Sequence, residues 1–231
     1  MAFVRLDKLL VDRRLAPSRQ RARELIEQGR VTVDGLVAKK PSTMVAKDRP
    51  LEVHSDEHVW VGRGAHKLLG ALEVLPMQVD GHVAADLGAS TGGFTEVLLP
   101  RGATRVYAVD VGRRQLHSRL ATDARVVVMD GVNVRHLEAL PEPVDRIVGD
   151  LSFISLTLIL PSVHRLLAPG GEALLLVKPQ FEAGRANVGS GGRVRDEARP
   201  AAIAAVRDAA LALGFSVQGS EDCVLPGAKS G

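Results

Sequence analysis

Residues 84–99 read AADLGASTGGFTEVLL, and the fold turns on how that stretch is parsed. An apolar run closes on Asp86, a turn follows with Gly88, Gly92 and Gly93, and a helix begins near residue 92. A glycine-rich turn between a strand and a helix lets a ligand approach the backbone closely, beside the amides of the helix amino terminus. A Walker-type phosphate loop is excluded, because no Gly-Lys-Ser/Thr follows. A dinucleotide fingerprint fits poorly, because its three glycine positions are not met.

Working outward, the pattern from residue 82 onward alternates strand and helix, which predicts a doubly wound α/β sheet. Strands are expected at 82–87, 105–111, 125–130, 145–150, 172–178 and 215–219. Helices are expected near 92–99, 113–120, 133–140, 155–167 and 197–213. Acids stand at successive strand ends: Asp86, then Asp110 in VYAVDV, Asp130 in VVVMDG and Asp150 in VGDLSFISL. One such acid alone is commonly a turn former; Asp86, Asp110 and Asp130, three in register with one per strand end, are hard to assign to chance. Lys178 ends the next strand in LLLVKPQFE. A lysine is strongly hydrated and seldom buried without a partner. It is either capped by solvent where Pro179 stops the ladder, or a reactive group at the carboxyl edge where ligands bind. The Gly- and Arg-rich stretch 183–196 reads as a loop beside that edge.

Upstream the chain changes character. Residues 1–40 carry ten Lys/Arg against five Asp/Glu, whereas 68–231 carry sixteen against eighteen. This asymmetry suggests a basic module joined to a near-neutral body. Leu6, Leu9 and Leu10 mark one short helix; Ser18 caps a second, with Ala22, Leu25 and Ile26 on its core face and Gly29 as its stop. Asp34-Gly35 inside VTVDGLVA signals a hairpin, and Leu51 and Val53 suggest one more strand. Arg19 and Arg23 lie four apart on the helix, and Arg14, Arg30 and Lys40 extend the positive surface. This is either a solvated helix face or a site for nucleic-acid phosphates. Residues 54–63 read as a connector holding Trp60, expected to pack between modules or against a ligand. A helix follows with Leu68, Leu69, Leu72 and Leu75 on its apolar side and Lys67 near its start.

The composition, with 45% apolar and 25% charged residues, is that of a soluble globular protein. No apolar run approaches the roughly 20 residues needed to span a bilayer. The amino terminus lacks the apolar core of a signal peptide. Cys223 is the only cysteine, so no internal disulfide and no cysteine-based zinc site is expected. These features point to the cytoplasm, without membrane or metal.

Asp-Leu-Gly-Ala-Ser-Thr-Gly-Gly-Phe-Thr resembles the first motif of S-adenosylmethionine-dependent methyltransferases. Together with RGAHKL, DLSFISL and LVKPQFE it makes the chain similar to the TlyA family, often labelled hemolysin A. Residues 1–56 resemble a ribosomal-protein-S-four-type RNA-binding domain, 57–63 a linker, and 64–231 an FtsJ-like methyltransferase domain. The resemblance implies a Rossmann-like methyltransferase sheet behind a small α+β RNA-binding domain. It implies S-adenosylmethionine-dependent 2′-O-methylation of ribose, of cytidines, in ribosomal RNA within ribosomal subunits.

The resemblance also implies a cofactor site of Asp86, Gly88, Ala89, Ser90, Thr91, Gly92, Gly93 and Phe94, with Asp110 on the ribose hydroxyls and Asp130 near the adenine. Three members of a Lys-Asp-Lys-Glu tetrad map onto Lys67, Asp150 and Lys178. The fourth, a glutamate, would follow a stretch beginning at LPGAKSG, so a longer protein with one further antiparallel strand is expected. RNA contacts are expected at Arg14, Arg19, Arg23, Arg30 and Lys40. Two alternatives stay open: a catalytically silent RNA-binding or assembly factor, and a hemolysin, which needs a membrane-inserting segment that the sequence does not display.

Overall fold

Two separate apolar patterns produce two compact units, Met1–Val59 and Trp60–Gly231. They are seen in a computed structural model that describes residues 3–53, 60–184, 187–189, 191 and 193–223. The connector at 57–59, parts of the loop 183–196 and the LPGAKSG ending lie outside the described residues.

The first unit runs β1 (Phe3–Arg5), α1 (Leu6–Asp12), α2 (Arg19–Glu27), β2 (Val31–Val33), β3 (Leu36–Val37), β4 (Met44–Ala46) and β5 (Leu51–Val53). Helix α2 begins where the Ser18 hydroxyl accepts a hydrogen bond from Arg21 N at 3.2 Å, and it stops before Gly29 at φ +71°. Asp34 and Gly35 both take positive φ, 52° and 74°, so a two-residue turn pairs Val33 with Leu36. Strands β3, β2 and β5 form one antiparallel sheet, and β1 pairs with β4. Leu6, Leu10, Leu25, Ile26 and Val31 close the core between the two helices and the strands.

The second unit contains α3 (Gly64–Val74), β6 (Val83–Leu87), α4 (Gly93–Leu98), β7 (Arg105–Asp110), α5 (Ser118–Ala121), β8 (Val126–Asp130), β9 (Val144–Gly149), α6 (Leu160–Leu166), β10 (Leu167–Leu175), α7 (Pro179–Glu182) and α8 (Ala198–Ala212). Five of these strands form one parallel sheet in the order β10-β9-β6-β7-β8. The chain builds outward from β6 to β8 and then crosses back to place β9 on the other side of β6. That reversal opens a crevice at the carboxyl ends of β6 and β9. Neighbours along each strand point to opposite faces: Ala84, Val106 and Val148 join one apolar cluster, Ala85, Tyr107 and Ile147 the other. Both faces are therefore covered, as a parallel sheet requires.

Trp60 packs on the first of these clusters, beside Ala65, Leu68 and Phe94. It is thus anchored to the second unit's own core. Three sequence expectations need correction. Residues 133–140 form a single 3-10 turn, Val134–His136, because Pro141 and Pro143 leave no room for a helix to propagate. The helix expected at 113–120 is confined to the single turn Ser118–Ala121. Residues 215–219 are not a strand: Phe215 packs on the core, but among the described residues the segment has no ladder partner. Alternation alone buries a side chain; a strand also needs a hydrogen-bonding neighbour.

Candidate active site

The crevice at the switch point is assembled from five connections. Asp86, at the end of β6, is 1% exposed and accepts hydrogen bonds on Oδ2 from Thr95 N at 2.8 Å and Thr95 Oγ1 at 2.7 Å. It thereby ties the strand end to the first turn of α4. Its Oδ1 is buried and has no hydrogen-bond partner among the described residues. Burial, partly offset by the Thr95 bonds, pushes its carboxyl up to about 7.

Gly88 follows at φ +85°, and a Cβ there would lie 3.2 Å from the Asp150 carbonyl oxygen. The glycine lets the β6 turn and the β9 end approach each other closely. Ser90 takes φ +48°, and its N–H donates to Asp110 Oδ2 at 2.8 Å. Asp110 Oδ1 accepts from Gly112 N at 2.7 Å, so this carboxylate bridges the turns after β6 and β7. Asp130 Oδ2 accepts from Arg114 N at 2.7 Å, which fixes the next turn in the same manner. Ala89 and Phe94 are buried, Phe94 against Ala65 and Leu68, so Phe94 serves the packing of α4 rather than an open edge.

The three predicted reactive residues meet. Asp150 Oδ2 accepts a hydrogen bond from Lys67 Nζ at 2.7 Å, and Lys178 Nζ lies 2.7 Å from Oδ1. Lys67 is carried in by α3, whose backbone rests on α4: a Cβ on Gly93 would come within 2.8 Å of Ala65 N. Lys178 is the residue before Pro179 and caps α7 in an extended conformation. Burial alone would raise the Asp150 carboxyl, but the ammonium groups of Lys178 and Lys67 outweigh it and hold it below the usual carboxylate range. Two cations on one carboxylate leave the cluster with a formal charge of +1.

Several residues here escaped sequence reasoning. Lys178 Nζ also donates to Ser152 Oγ at 2.6 Å and to the Asp150 carbonyl at 3.4 Å. Glu182, one turn beyond Lys178, accepts from Ser155 Oγ at 2.5 Å and from Leu156 N at 2.8 Å. The loop 151–156 is thus tied to α7 at both ends of that helix. Between the ties stands Phe153, at φ +64° and 91% exposed, 5.4 Å from the Phe181 ring. A bulky residue in the left-handed region, holding its ring out to solvent, stores strain of order 1 kcal/mol. The two rings line an open depression with Ile154, Ser155, Gln180 and Val188.

The predicted basic residues belong to the first unit. Arg19 and Arg23 do share a face of α2, but both reach a carboxylate from α1, Asp7, at 2.9 and 3.3 Å. Arg14 takes φ +58° just after α1, and Lys40 and Arg30 flank the strands. Among the described residues, no cluster of His, Cys, Asp or Glu has the arrangement of a metal site, and no helix is long and apolar enough to cross a membrane.

Known proteins resemble this chain. Residues 60–230 match the FtsJ-like methyltransferase family and residues 4–48 match the S4 domain. The 16S/23S rRNA (cytidine-2′-O)-methyltransferase TlyA of Mycobacterium tuberculosis is 49% identical over 227 residues, covering 96% of this chain and 85% of that protein. The putative rRNA methyltransferase YqxC of Bacillus subtilis is 45% identical over 199 residues, 83% of this chain and 69% of its own length. Among solved structures, a putative hemolysin from Streptococcus thermophilus superimposes with a TM-score of 0.73 at 37% identity, covering 98% of this chain and 84% of that one.

Proposed function

The chain belongs to the TlyA branch of the FtsJ-like methyltransferases, and from that we propose that it transfers a methyl group from S-adenosylmethionine to the 2′-hydroxyl of cytidine in ribosomal RNA. The observation that carries the reading is the convergence of Lys67 and Lys178 on Asp150 at the switch point, each at 2.7 Å.

A ribose hydroxyl is a poor nucleophile, so the site must align it and stabilise the charge it develops. Lys178 Nζ is held by Ser152 Oγ at 2.6 Å and by Asp150 Oδ1 at 2.7 Å, and its third donor makes only a long 3.4 Å contact with the Asp150 carbonyl, so a closer acceptor can take it. That donor is the group we assign to hold the hydroxyl oxygen and aim its lone pair. Asp150 stays ionised and keeps both lysines in place. The residual +1 of the cluster favours the partial negative charge growing on the oxygen.

The cofactor would lie against the β6 turn. Its residues fit such a group: Gly88 lets the β6 turn close on the β9 end, and Asp110 and Asp130 each retain acceptor lone pairs beyond their backbone bonds. Asp110 suits ribose hydroxyls and Asp130 the adenine side, while Asp86, Ala89, Ser90, Thr91, Gly92, Gly93 and Phe94 shape the turn. When bound, the cofactor supplies an electrophilic methyl on sulfonium. Phe153, exposed beside the lysine cluster, offers a face on which the target base stacks once it leaves its helix. We assign residues 1–56 to RNA docking, with Arg14, Arg19, Arg23, Arg30 and Lys40 on phosphates, 57–63 to the linker and 64–231 to transfer. Ribosomal subunits as substrates would place the protein in the cytoplasm.

The test is transfer of a labelled methyl from S-adenosylmethionine to unmodified ribosomal subunits, with the product mapped. Label on a cytidine 2′-oxygen supports the reading. Label on a base, or binding of cofactor and RNA without label, overturns it.

A further inference from the structure

Asp7 is the second residue of α1, and its side chain is completely shielded from solvent. A buried carboxylate on a unit so rich in cations is not there by default. It receives four hydrogen bonds from three arginines. Arg5 donates through Nε to Oδ1 and through Nη2 to Oδ2, both at 3.1 Å; Arg19 Nη2 and Arg23 Nε reach Oδ2 at 2.9 and 3.3 Å. These come from β1 and from two successive turns of α2. The bonds from the arginines, Arg5 first, hold Asp7 well below the usual carboxylate range despite its burial. It is therefore ionised at any working pH.

The arginines are not buried with it. Their side chains are 42%, 51% and 52% exposed for Arg5, Arg19 and Arg23. A guanidinium has five N–H donors, and Asp7 takes one or two from each. Each arginine keeps further Nη donors turned to solvent, the geometry that grips a phosphate in a bidentate manner. Three cations around one anion carry a formal +2.

We propose that Asp7 is a positioning residue for RNA: it sacrifices one positive charge to lock Arg5, Arg19 and Arg23 into a single rigid three-pronged phosphate clamp. This rests on the RNA-binding reading above. Arginine side chains are rotamer-rich, and ordering each one on binding is costly; a clamp ordered in advance avoids that loss. A purely structural role, in which Asp7 only joins α1 to α2, makes the opposite prediction for charge.

Asp7→Asn decides between them, because it raises the net charge by one while freeing the arginines. Simple electrostatics then predicts tighter RNA binding, whereas the clamp predicts weaker binding. Affinity of the full chain for purified ribosomal RNA is measured against salt, beside Asp12→Asn, a charge-matched change at an exposed position of the same helix. The expected result is a roughly tenfold loss for Asp7→Asn. Its slope of log K against log salt becomes shallower by about 0.7–0.9 for each phosphate that the arginines release, while Asp12→Asn binds as tightly as the parent or tighter.

Equal or tighter binding by Asp7→Asn, with an unchanged slope, overturns the proposal. Should that variant not fold, arginine Nε–H resonances of the unaltered free protein give the answer. Slowly exchanging signals from Arg5 and Arg23 support the clamp, and averaged, fast-exchanging ones refute it. Failure of the unaltered chain to bind RNA at all would instead strike the RNA-binding reading, leaving the arginine dynamics as a separate result.

Discussion

Changing Asp86 to Asn should remove a pH dependence from the stability of the second unit. Asp86 Oδ2 is satisfied by both donors of Thr95, while Oδ1 is buried without a partner among the described residues. The proton of the neutral acid belongs on Oδ1, and burial is the main reason that the carboxyl titrates near 7 instead of 3.8. Because the folded value lies above the unfolded one, the folded state binds the proton more tightly. The associated stability is complete below about pH 4 and is lost as pH rises through 7. A rise of about three pH units at 1.36 kcal/mol each amounts to about 4 kcal/mol. Asparagine reproduces the shape of the neutral acid and keeps one oxygen for Thr95. The variant should therefore match the parent near pH 4, exceed it by about 1–2 kcal/mol at pH 5 and by up to about 4 kcal/mol at pH 8. Trp60 is the only tryptophan and packs on this unit's core, so its fluorescence in urea titrations at pH 5–8 reports the relevant transition. Asp150 and Asp7 are held low and contribute stability that is lost only in more acidic solution, and subtracting parent from variant removes them. Parallel profiles for the two proteins across pH 5–8 would refute the reasoning.

Phe153→Gly should raise stability by about 1 kcal/mol, since glycine adopts the positive φ freely, yet lower methyl transfer by removing the stacking face. Urea unfolding and transfer rates measured on one preparation would reveal whether the two effects part in this way. Glu182→Ala should lower the maximal transfer rate more than cofactor affinity, because the loop between Asp150 and Leu156 loses its tie to α7. Glu182→Gln should restore most of that rate, as an amide can accept from Leu156 N and meet the Ser155 hydroxyl together. Equal losses in the two variants would show that charge, not loop anchoring, is what Glu182 contributes.

The β6–α4 stretch was readable because its chemistry is local: glycines, an acid and a helix start within sixteen residues. The acids at Asp110 and Asp130 were readable by register, since each strand ends on one. Lys67, Asp150 and Lys178 lie 83 and 28 residues apart in pairs, and spacing alone does not join them; the family resemblance supplied that link. The ties made by Ser152 and Glu182, and the strained display of Phe153, depend on how two loops pack, which no periodicity encodes. Arg19 and Arg23 looked like an open basic face because the buried carboxylate they share comes from another helix. Residues 215–219 carry the apolar alternation of a strand, but pairing is a property of the neighbour as much as of the segment.

The measurement that bears most directly on the central claim is Lys178→Ala, assayed in parallel for methyl transfer to unmodified ribosomal RNA and for calorimetric binding of S-adenosylmethionine. The account predicts that transfer falls by about 100-fold or more while cofactor affinity stays within about threefold. Transfer at the parent rate would contradict it, and so would a loss of cofactor binding as large as the loss of transfer.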